Sequence, residues 1–389
     1  MMTGDGAYIK KINRSYILGQ IVEHGMISRA ELSKITGLNK ATISVQVSDL
    51  LDEELIYETR QEHNTVGRRP IMLSLNNQAG YVLGIDLEYK HITYNVSDLL
   101  GNSLTHDIVE LNTSDYDQII QILVDHIGDY INTYSDSGYG IVNVVVSVHG
   151  TVNKDEQVFF IPRHQWHNKN LKEDLENQLD TTIHIENNAN LCALAEKVYQ
   201  YHHTDNLLCI NMYTGIGLGI IMDGELIKGY HGYAGEMGHM VLFPEGKPCR
   251  CGNKGCWELY ASESSLFSLL AEQMNNQQVS YDLLKKWLKE QNADVCEQME
   301  QFLKYISIGL NNIINLYNPE TIVLNSEVLH LYPNAIDKIK EHLTSSVSQY
   351  RDIVISDLGK RASVMGACAF GIKNFLKIPE LSLDISETV

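Results

Sequence analysis

The chain has no run of about 18 consecutive apolar residues, so no membrane-spanning helix is expected. Its first residues, Thr3-Gly4-Asp5-Gly6 followed by Lys10 and Lys11, lack the apolar core and cleavage site of a secretory leader. A cytoplasmic location is the expectation. A disulfide framework is also missing. Of seven cysteines, Cys249, Cys251 and Cys256 fall within eight residues, while Cys192, Cys209, Cys296 and Cys368 stand apart in apolar surroundings. In a cytosolic chain a tight cluster reads as a metal site, and isolated thiols read as small buried hydrophobes. Positive charge is scarce: 30 Lys and Arg face 49 Asp and Glu, a net charge of −19. Taken alone, that argues against nucleic acid. The deficit is not uniform, however. Residues 1–75 carry nine charges of each sign, so the whole imbalance lies in residues 76–389. A neutral leading segment can still present a local basic face to phosphate, and an acidic body limits non-specific binding.

What is present divides into three patterns. With 389 residues, two to four domains are expected. A helix near residues 9–24 has Ile12, Tyr16, Ile17 and Ile21 at helical spacing and stops at Gly25. Ser28-Arg29-Ala30-Glu31 has the form of a capping box for a short helix carrying Leu32 and Ile35, which ends at Gly37. Asn39 can cap a second helix, residues 40–53, with Ile43, Val47, Leu50 and Leu51 facing inward. Two short helices around a glycine turn, behind a supporting helix, make a helix-turn-helix. Lys40, Thr42, Ser44 and Gln46 are its expected outward donors and acceptors for base edges and phosphates, with Arg29 beside them. Two β-like runs, residues 55–58 and 71–75, flank Gly67-Arg68-Arg69-Pro70, a hairpin with a basic tip that reads as a wing. The alternative for this segment is a small helical dimerisation module.

From Tyr81 the pattern changes to strands at 82–86, 91–97 and 103–109, a helix at 116–134 and a strand at 141–148. A second such unit starts at Asn206, with strands at 207–213, 217–222, 321–324 and 353–356 and a final helix near 363–376. Two similar α/β lobes imply a cleft between them, where small ligands usually sit. The expected divisions are a DNA-binding domain at 1–75, a first lobe at 76–197, a second lobe at 198–380 whose last helix returns to the first, and a tail at 381–389.

His239, then Cys249, Cys251 and Cys256, supply one imidazole and three thiolates, the set that fills a tetrahedral zinc shell. Four protein ligands leave no position open, so the expected zinc is structural. A regulatory zinc sensor and three plain thiols are the alternatives.

The stretch Tyr213-Thr214-Gly215-Ile216-Gly217-Leu218-Gly219-Ile220, then Gly229, Ala234-Gly235-Glu236-Met237-Gly238-His239 and the cysteine cluster through Cys256-Trp257-Glu258, resembles the signature of the ROK family (repressors, open reading frames and kinases). The likeness covers roughly residues 81–376. With the N-terminal segment it resembles the repressor branch. It implies an α/β fold, in which a winged helix-turn-helix precedes a two-lobed, actin-like and sugar-kinase-like body. It also implies sugar-binding roles for Asn187, Asn188, Glu236, His239 and Glu258, so that His239 would serve the metal through one nitrogen and the sugar through the other.

The departures from the kinase pattern all fall on ATP chemistry. The catalytic Asp is replaced by Asn188, and an amide cannot accept a hydroxyl proton. The first phosphate loop reads Asp86-Leu87-Glu88, and the adenosine-side glycine run reads Asn325-Ser326-Glu327. The loop from Gly215 to Gly219 survives, although it could do so for packing alone. The expectation is therefore not an enzyme but a homodimeric, or higher even-numbered, repressor of double-stranded operator DNA. Its expected effector is a small neutral aldose, D-xylose, that releases the protein from DNA. An active sugar kinase with an added domain and a DNA-binding scaffold with a vestigial pocket are the rivals.

Overall fold

The computed structural model describes residues 6–60, 70–275 and 278–384. The wing-tip residues Gly67, Arg68 and Arg69 lie outside the described residues. Helices α1 (Gly6–His24), α2 (Arg29–Thr36) and α3 (Lys40–Asp52) pack over a small sheet of β1 (Ile27–Ser28), β2 (Ile56–Arg60) and β3 (Ile71–Leu75), in the order β1-β3-β2. Local chemistry sets their ends. The Ser28 hydroxyl accepts from the Glu31 N–H, and the Glu31 carboxylate accepts from the Ser28 N–H at 3.0 Å. Gly37 follows α2 in the left-handed region at φ 68°, and Asn39 caps α3 by accepting from the Thr42 N–H at 2.9 Å.

Three expectations about these helices need correction. Gln46 does not face outward: it is 3% exposed, on the same stripe as Ile43, Val47 and Leu50. The outward face of α3 instead presents Lys40, Ala41, Ser44, Val45 and Ser48, with Thr42 half-buried. In α1 the core is made by Ile17, Leu18, Ile21 and Val22, whereas Ile12 and Tyr16 are exposed. Ile35 is exposed as well.

The body begins with β4 (Tyr81–Leu87), β5 (His91–Asp98) and β6 (Ser103–Glu110), followed by α4 (Tyr116–Thr133), whose N-terminus is capped by Asp115. Next come β7 (Ile141–Val148), the short strands β8 (Thr151–Val152), β9 (Val158–Ile161) and β10 (Trp166–Lys169), α5 (Leu171–Glu176), β11 (Ile183–Asn187) and α6 (Asn188–Tyr199). The second half holds β12 (Leu207–Asn211), β13 (Gly217–Met222), β14 (Glu225–Leu226), α7 (Glu258–Ala261), α8 (Glu263–Gln273), α9 (Tyr281–Lys289) and α10 (Ala293–Tyr317). It closes with β15 (Thr321–Asn325), α11 (Glu327–Leu331), α12 (Ala335–His342), β16 (Asp352–Ile355) and α13 (Ala362–Leu376).

Two five-stranded sheets share one plan. The first runs β11-β7-β4-β5-β6 and the second β16-β15-β12-β13-β14. In each, an antiparallel meander of three strands is extended by two parallel strands on its first member. The central strands are buried on both faces, which is why β4, β7, β12 and β15 read as nearly continuous apolar runs. Between the sheets lie α6, packed on β12 and β13, and α13, packed on β4, β5 and β7. The two helices also pack against each other. The last helix of the chain thus returns to the first sheet.

The small N-terminal sheet and helices join this body through the chain's far end. Leu376 and Ile378 share one apolar cluster with Ile17, Leu18 and Ile21, and the Ser15 hydroxyl donates to the Lys377 carbonyl. Arg14 pairs with Glu53, whose carbonyl accepts from the Tyr139 hydroxyl at 2.9 Å. Among the described residues no helix is long and apolar enough to cross a membrane.

Candidate functional site

His239, Cys249, Cys251 and Cys256 come together, with all four ligand atoms within 4.8 Å of one another. Tetrahedral zinc bonds of about 2.3 Å to sulfur and 2.0–2.1 Å to nitrogen place two sulfurs about 3.8 Å apart and a sulfur and a nitrogen about 3.6 Å apart. The Cys251 and Cys256 sulfurs stand 3.6 Å apart, and the Cys249 sulfur stands 3.6 Å from His239 Nδ1. These edges and the donor chemistry fit the metal, which would serve as a structural cross-link with no open position. His239 rides on a single 3-10 turn, Met237–His239. The cysteine loop is folded on itself by Cys249 N–H to Asn253 carbonyl at 2.8 Å and Gly255 N–H to Lys247 carbonyl at 2.8 Å. Gly255 is at φ 75°, and a Cβ there would lie 1.7 Å from the Phe243 carbonyl, so no other residue closes this loop. Trp257, fully buried, anchors it by donating to the Tyr305 carbonyl at 2.9 Å.

Three of the residues assigned to sugar adjoin this metal set. Glu258 Oε1 lies 3.2 Å from the Cys249 sulfur and 3.5 Å from His239 Nδ1, while Glu236 lies 3.8 Å from His239 Nε2. The two nitrogens of His239 therefore look in different directions, one to the thiolates and one to Glu236. Burial and the nearby Glu258 push the Glu236 carboxyl above its ordinary value, against the pull of His239.

Asn187 and Asn188 stand at the end of β11, where α6 begins. Asn187 is largely spoken for: its carbonyl oxygen accepts from Ala189 N–H at 2.8 Å and Asn190 N–H at 3.2 Å, and its amide donates to the Gly150 carbonyl at 2.8 Å. It caps a helix and ties two strand ends, which leaves one N–H for a ligand. Asn188 is half-buried and has no side-chain hydrogen bond among the described residues. Behind them the buried Glu186 accepts from Asn187 N–H, from the Asn190 amide at 3.0 Å and from Lys228, which reaches across from the second half. Among the described residues no hydrogen bond joins Asn188 directly to Glu236 or Glu258.

The glycine loop has a packing reason. A Cβ on Gly219 would fall 2.3 Å from the Ala189 carbonyl and 2.4 Å from the Ala193 Cβ, so β13 can lie on α6 only with glycine there. At the corresponding end of the second sheet, polar side chains fill the space. Asn325 donates to Asn211 at 3.1 Å and accepts from the Tyr213 hydroxyl at 2.8 Å. Buried Glu263 accepts from Ser326 at 2.7 Å, from Val328 N–H at 2.9 Å and from Tyr281 at 2.5 Å.

Sequence reasoning took Asp86 and Glu88 only as an altered phosphate loop and passed over His149 at the carboxyl end of β7. His149 Nε2 lies 2.9 Å from Asp86 Oδ1. Burial disfavours the charged ring, but Asp86 and Glu88 hold its pKa above the ordinary imidazole value. A His-Gly step directly after the buried apolar run of β7 was the available signal. Arg29, expected at DNA, is paired with Glu58 of β2 at 2.5 Å. The isolated cysteines behave as expected in that Cys192, Cys209 and Cys368 are buried; Cys296 is only partly so.

These features have relatives. The ROK family model matches residues 82–373. The chain is 34% identical over 386 residues to the xylose repressor of Bacillus spizizenii, a match covering 98% of this chain and 100% of that one. It superposes with a TM-score of 0.80 and 27% identity on a ROK family transcriptional regulator described as a homolog of the E. coli MLC protein, over 95% of this chain and 96% of the other. A ROK family glucokinase from Streptomyces griseus, solved with glucose and AMPPNP, shares the fold at a TM-score of 0.66 and 22% identity, over 75% of this chain and 99% of its own. The kinase likeness stops short of the full chain, whereas the regulators match it nearly from end to end, with the family model spanning both five-stranded sheets: the chain belongs to the ROK family.

Proposed function

We propose that the protein is a sugar-responsive transcriptional repressor in which α2, α3 and the β2–β3 hairpin form a winged helix-turn-helix on a body that binds sugar without phosphorylating it. The observation that carries this reading is Asn188 at the position of the family's catalytic Asp, in a chain that also bears two capped helices with a polar outward face. An amide takes no proton from a hydroxyl. Glu88 stands where phosphate would approach, and the Asn325 and Glu263 networks occupy the adenosine side. In the DNA-binding reading, Lys40, Thr42 and Ser44 remain the readers of α3, joined by Val45, whose exposed methyls suit a thymine methyl. Arg68 and Arg69 would contact the backbone or minor groove. A homodimer would meet a two-fold operator with half-sites about one helical turn, or a multiple, apart. His239, Cys249, Cys251 and Cys256 would hold one structural zinc, and the protein would work in the cytoplasm.

The effector is a small neutral aldose, D-xylose. The relative from Bacillus spizizenii is named for xylose. A pentopyranose has no sixth-carbon hydroxyl for a base to serve, so Asn188 is no handicap, and Glu236 and Glu258 would repel a sugar phosphate. Xylose releases the operator if it binds the released arrangement better than the DNA-competent one; tenfold release needs about 1.4 kcal/mol of coupling. The test is fluorescence anisotropy on operator DNA with saturating xylose, glucose or glucose 6-phosphate. Xylose should weaken binding and the phosphate should do nothing. Release by glucose 6-phosphate alone, or ATP-dependent phosphorylation of any of these sugars, refutes the reading.

A further inference from the structure

We propose that Asp86, Glu88 and His149 form a divalent-cation site, separate from the Cys3His set, that takes a first-row ion through two carboxylate oxygens and one imidazole nitrogen. One ligand atom from each residue lies within 4.8 Å of the other two. The geometry is built by backbone pairing. Asp86 sits at the end of β4 opposite Ser147 of the parallel neighbour β7, Glu88 follows one residue beyond β4, and His149 follows β7 directly. His149 Nε2 and Asp86 Oδ1 are 2.9 Å apart. Adjacent ligands of an octahedral ion with bonds of 2.0–2.1 Å stand about 3 Å apart, so an ion can replace the proton those atoms share with little movement, releasing that proton to solvent.

The surroundings favour a cation and leave it a way in. Asp86 is 4% exposed, whereas Glu88 and His149 are only half-buried, so the open side faces water. Glu88 gives one oxygen to His91 Nε2 at 3.1 Å and keeps the other. Arg163, its guanidinium 5.9 Å from the Tyr89 ring centre, is a nearby cation acting on His149, and its influence there is smaller than that of Asp86 and Glu88. An independent observation is His164. It is 5% exposed and, apart from an approach to the Glu88 backbone, its ring has no hydrogen-bond partner among the described residues, which leaves at least one buried nitrogen unsatisfied. The ring lies beside the Glu88 backbone and within electrostatic reach of His149, stacked on Trp166 at 4.7 Å and tilted against Tyr89 at 5.4 Å. Two carboxylates and the His149 imidazole are a donor set for Mn2+ or a later first-row ion, softer than magnesium prefers, and His164 lies just outside it. The carboxylates that keep phosphate away here are the ones that draw the cation. Its place is also notable: the residue after His149 is Gly150, whose carbonyl is bound by Asn187.

The test uses the full-length, zinc-loaded protein and Mn2+ as the probe, with free Mn2+ read by electron paramagnetic resonance. The expected result is one saturable Mn2+ per chain, weakened at least tenfold by His149→Ala and by Glu88→Gln. In the wild-type chain, Mn2+ should broaden the side-chain NMR signals of His149, and of its neighbours His91 and His164, ahead of the remaining histidines. This second measurement stands even if a variant folds poorly. No saturable uptake, uptake unchanged by both variants, or unbroadened His149 signals overturns the site. None of these outcomes depends on whether the protein binds sugar.

Discussion

A single side chain can mislead when its polarity and its position disagree. Gln46 is polar, and polarity suggested a base reader. Its spacing says otherwise: positions 43, 46, 47 and 50 form one inward stripe of a helix. The structure follows the spacing, and Gln46 Oε1 is buried without a partner among the described residues. An unsatisfied buried acceptor costs about 1–3 kcal/mol. Gln46→Leu should therefore leave operator sequence preference unchanged and raise stability by about 1 kcal/mol, measured by urea unfolding. Val45→Ala, on the exposed face, should alter base preference and leave stability within about 0.5 kcal/mol. A second residue with a measurable signature is Glu196 in α6. Burial raises its carboxyl, a hydrogen bond from Ser356 lowers it and Asp357 raises it again, leaving it pushed up to about 7. Because the folded value exceeds the unfolded one, its contribution to stability is complete below about pH 4.5 and is lost as pH rises through about 7. Wild-type stability should fall over that window, by up to about 3 kcal/mol at pH 8. Glu196→Gln should flatten the slope in urea midpoints compared at pH 5 and pH 8.

At the scale of elements, what was legible in the sequence was what is local. The Ser28–Glu31 box, the Asn39 cap and the Gly37 stop need only a few neighbouring residues, and each appears where its spacing predicted. The repeated strand pattern was readable for the same reason, and it resolves into two sheets of one strand order. The metal cluster was readable because three of its four ligands lie within one short loop. The Asp86–His149 pair was not, since it depends on the parallel register of β4 and β7 across 63 positions. Asn187 was misjudged in weight, because nothing in the sequence reveals that its oxygen is taken by the first turn of α6. The cysteine loop gives an element-scale prediction. Cys251→Ser should reduce bound zinc from one equivalent to well under half, by atomic emission, and lower the melting temperature by several degrees. It should also blunt the sugar response, because Glu258 and His239 border the same loop. Intact zinc content in that variant would remove Cys251 from the shell.

The whole molecule poses the question of how a site near α6 could influence α3. One continuous element is available. Ser363, at the start of α13, shares a hydrogen bond of 2.7 Å with Ser147, next to the ends of β4 and β7. The other end of α13 runs into Lys377 and Ile378, which touch α1 at Ser15 and Gly19. A displacement of α13 would thus reach the N-terminal helices, proposed above to bind DNA, without passing through a flexible linker. Ile378→Asp should cut that connection. Operator affinity without sugar should change less than threefold, while the xylose needed for half-release should rise about tenfold, read by anisotropy. An unchanged xylose midpoint would exclude this route.

The same contact has a consequence for how the protein is made. Ser15 and Lys377 are 362 positions apart. At about 5–20 residues per second, a ribosome needs roughly 20–70 seconds between one and the other. Through that interval the nascent first helix has its own small core but lacks the partner that seats it on the body. Until Ile378 is made, the leading helices meet the body only through early contacts such as Tyr139 to Glu53, and the route from α13 to α1 does not yet exist.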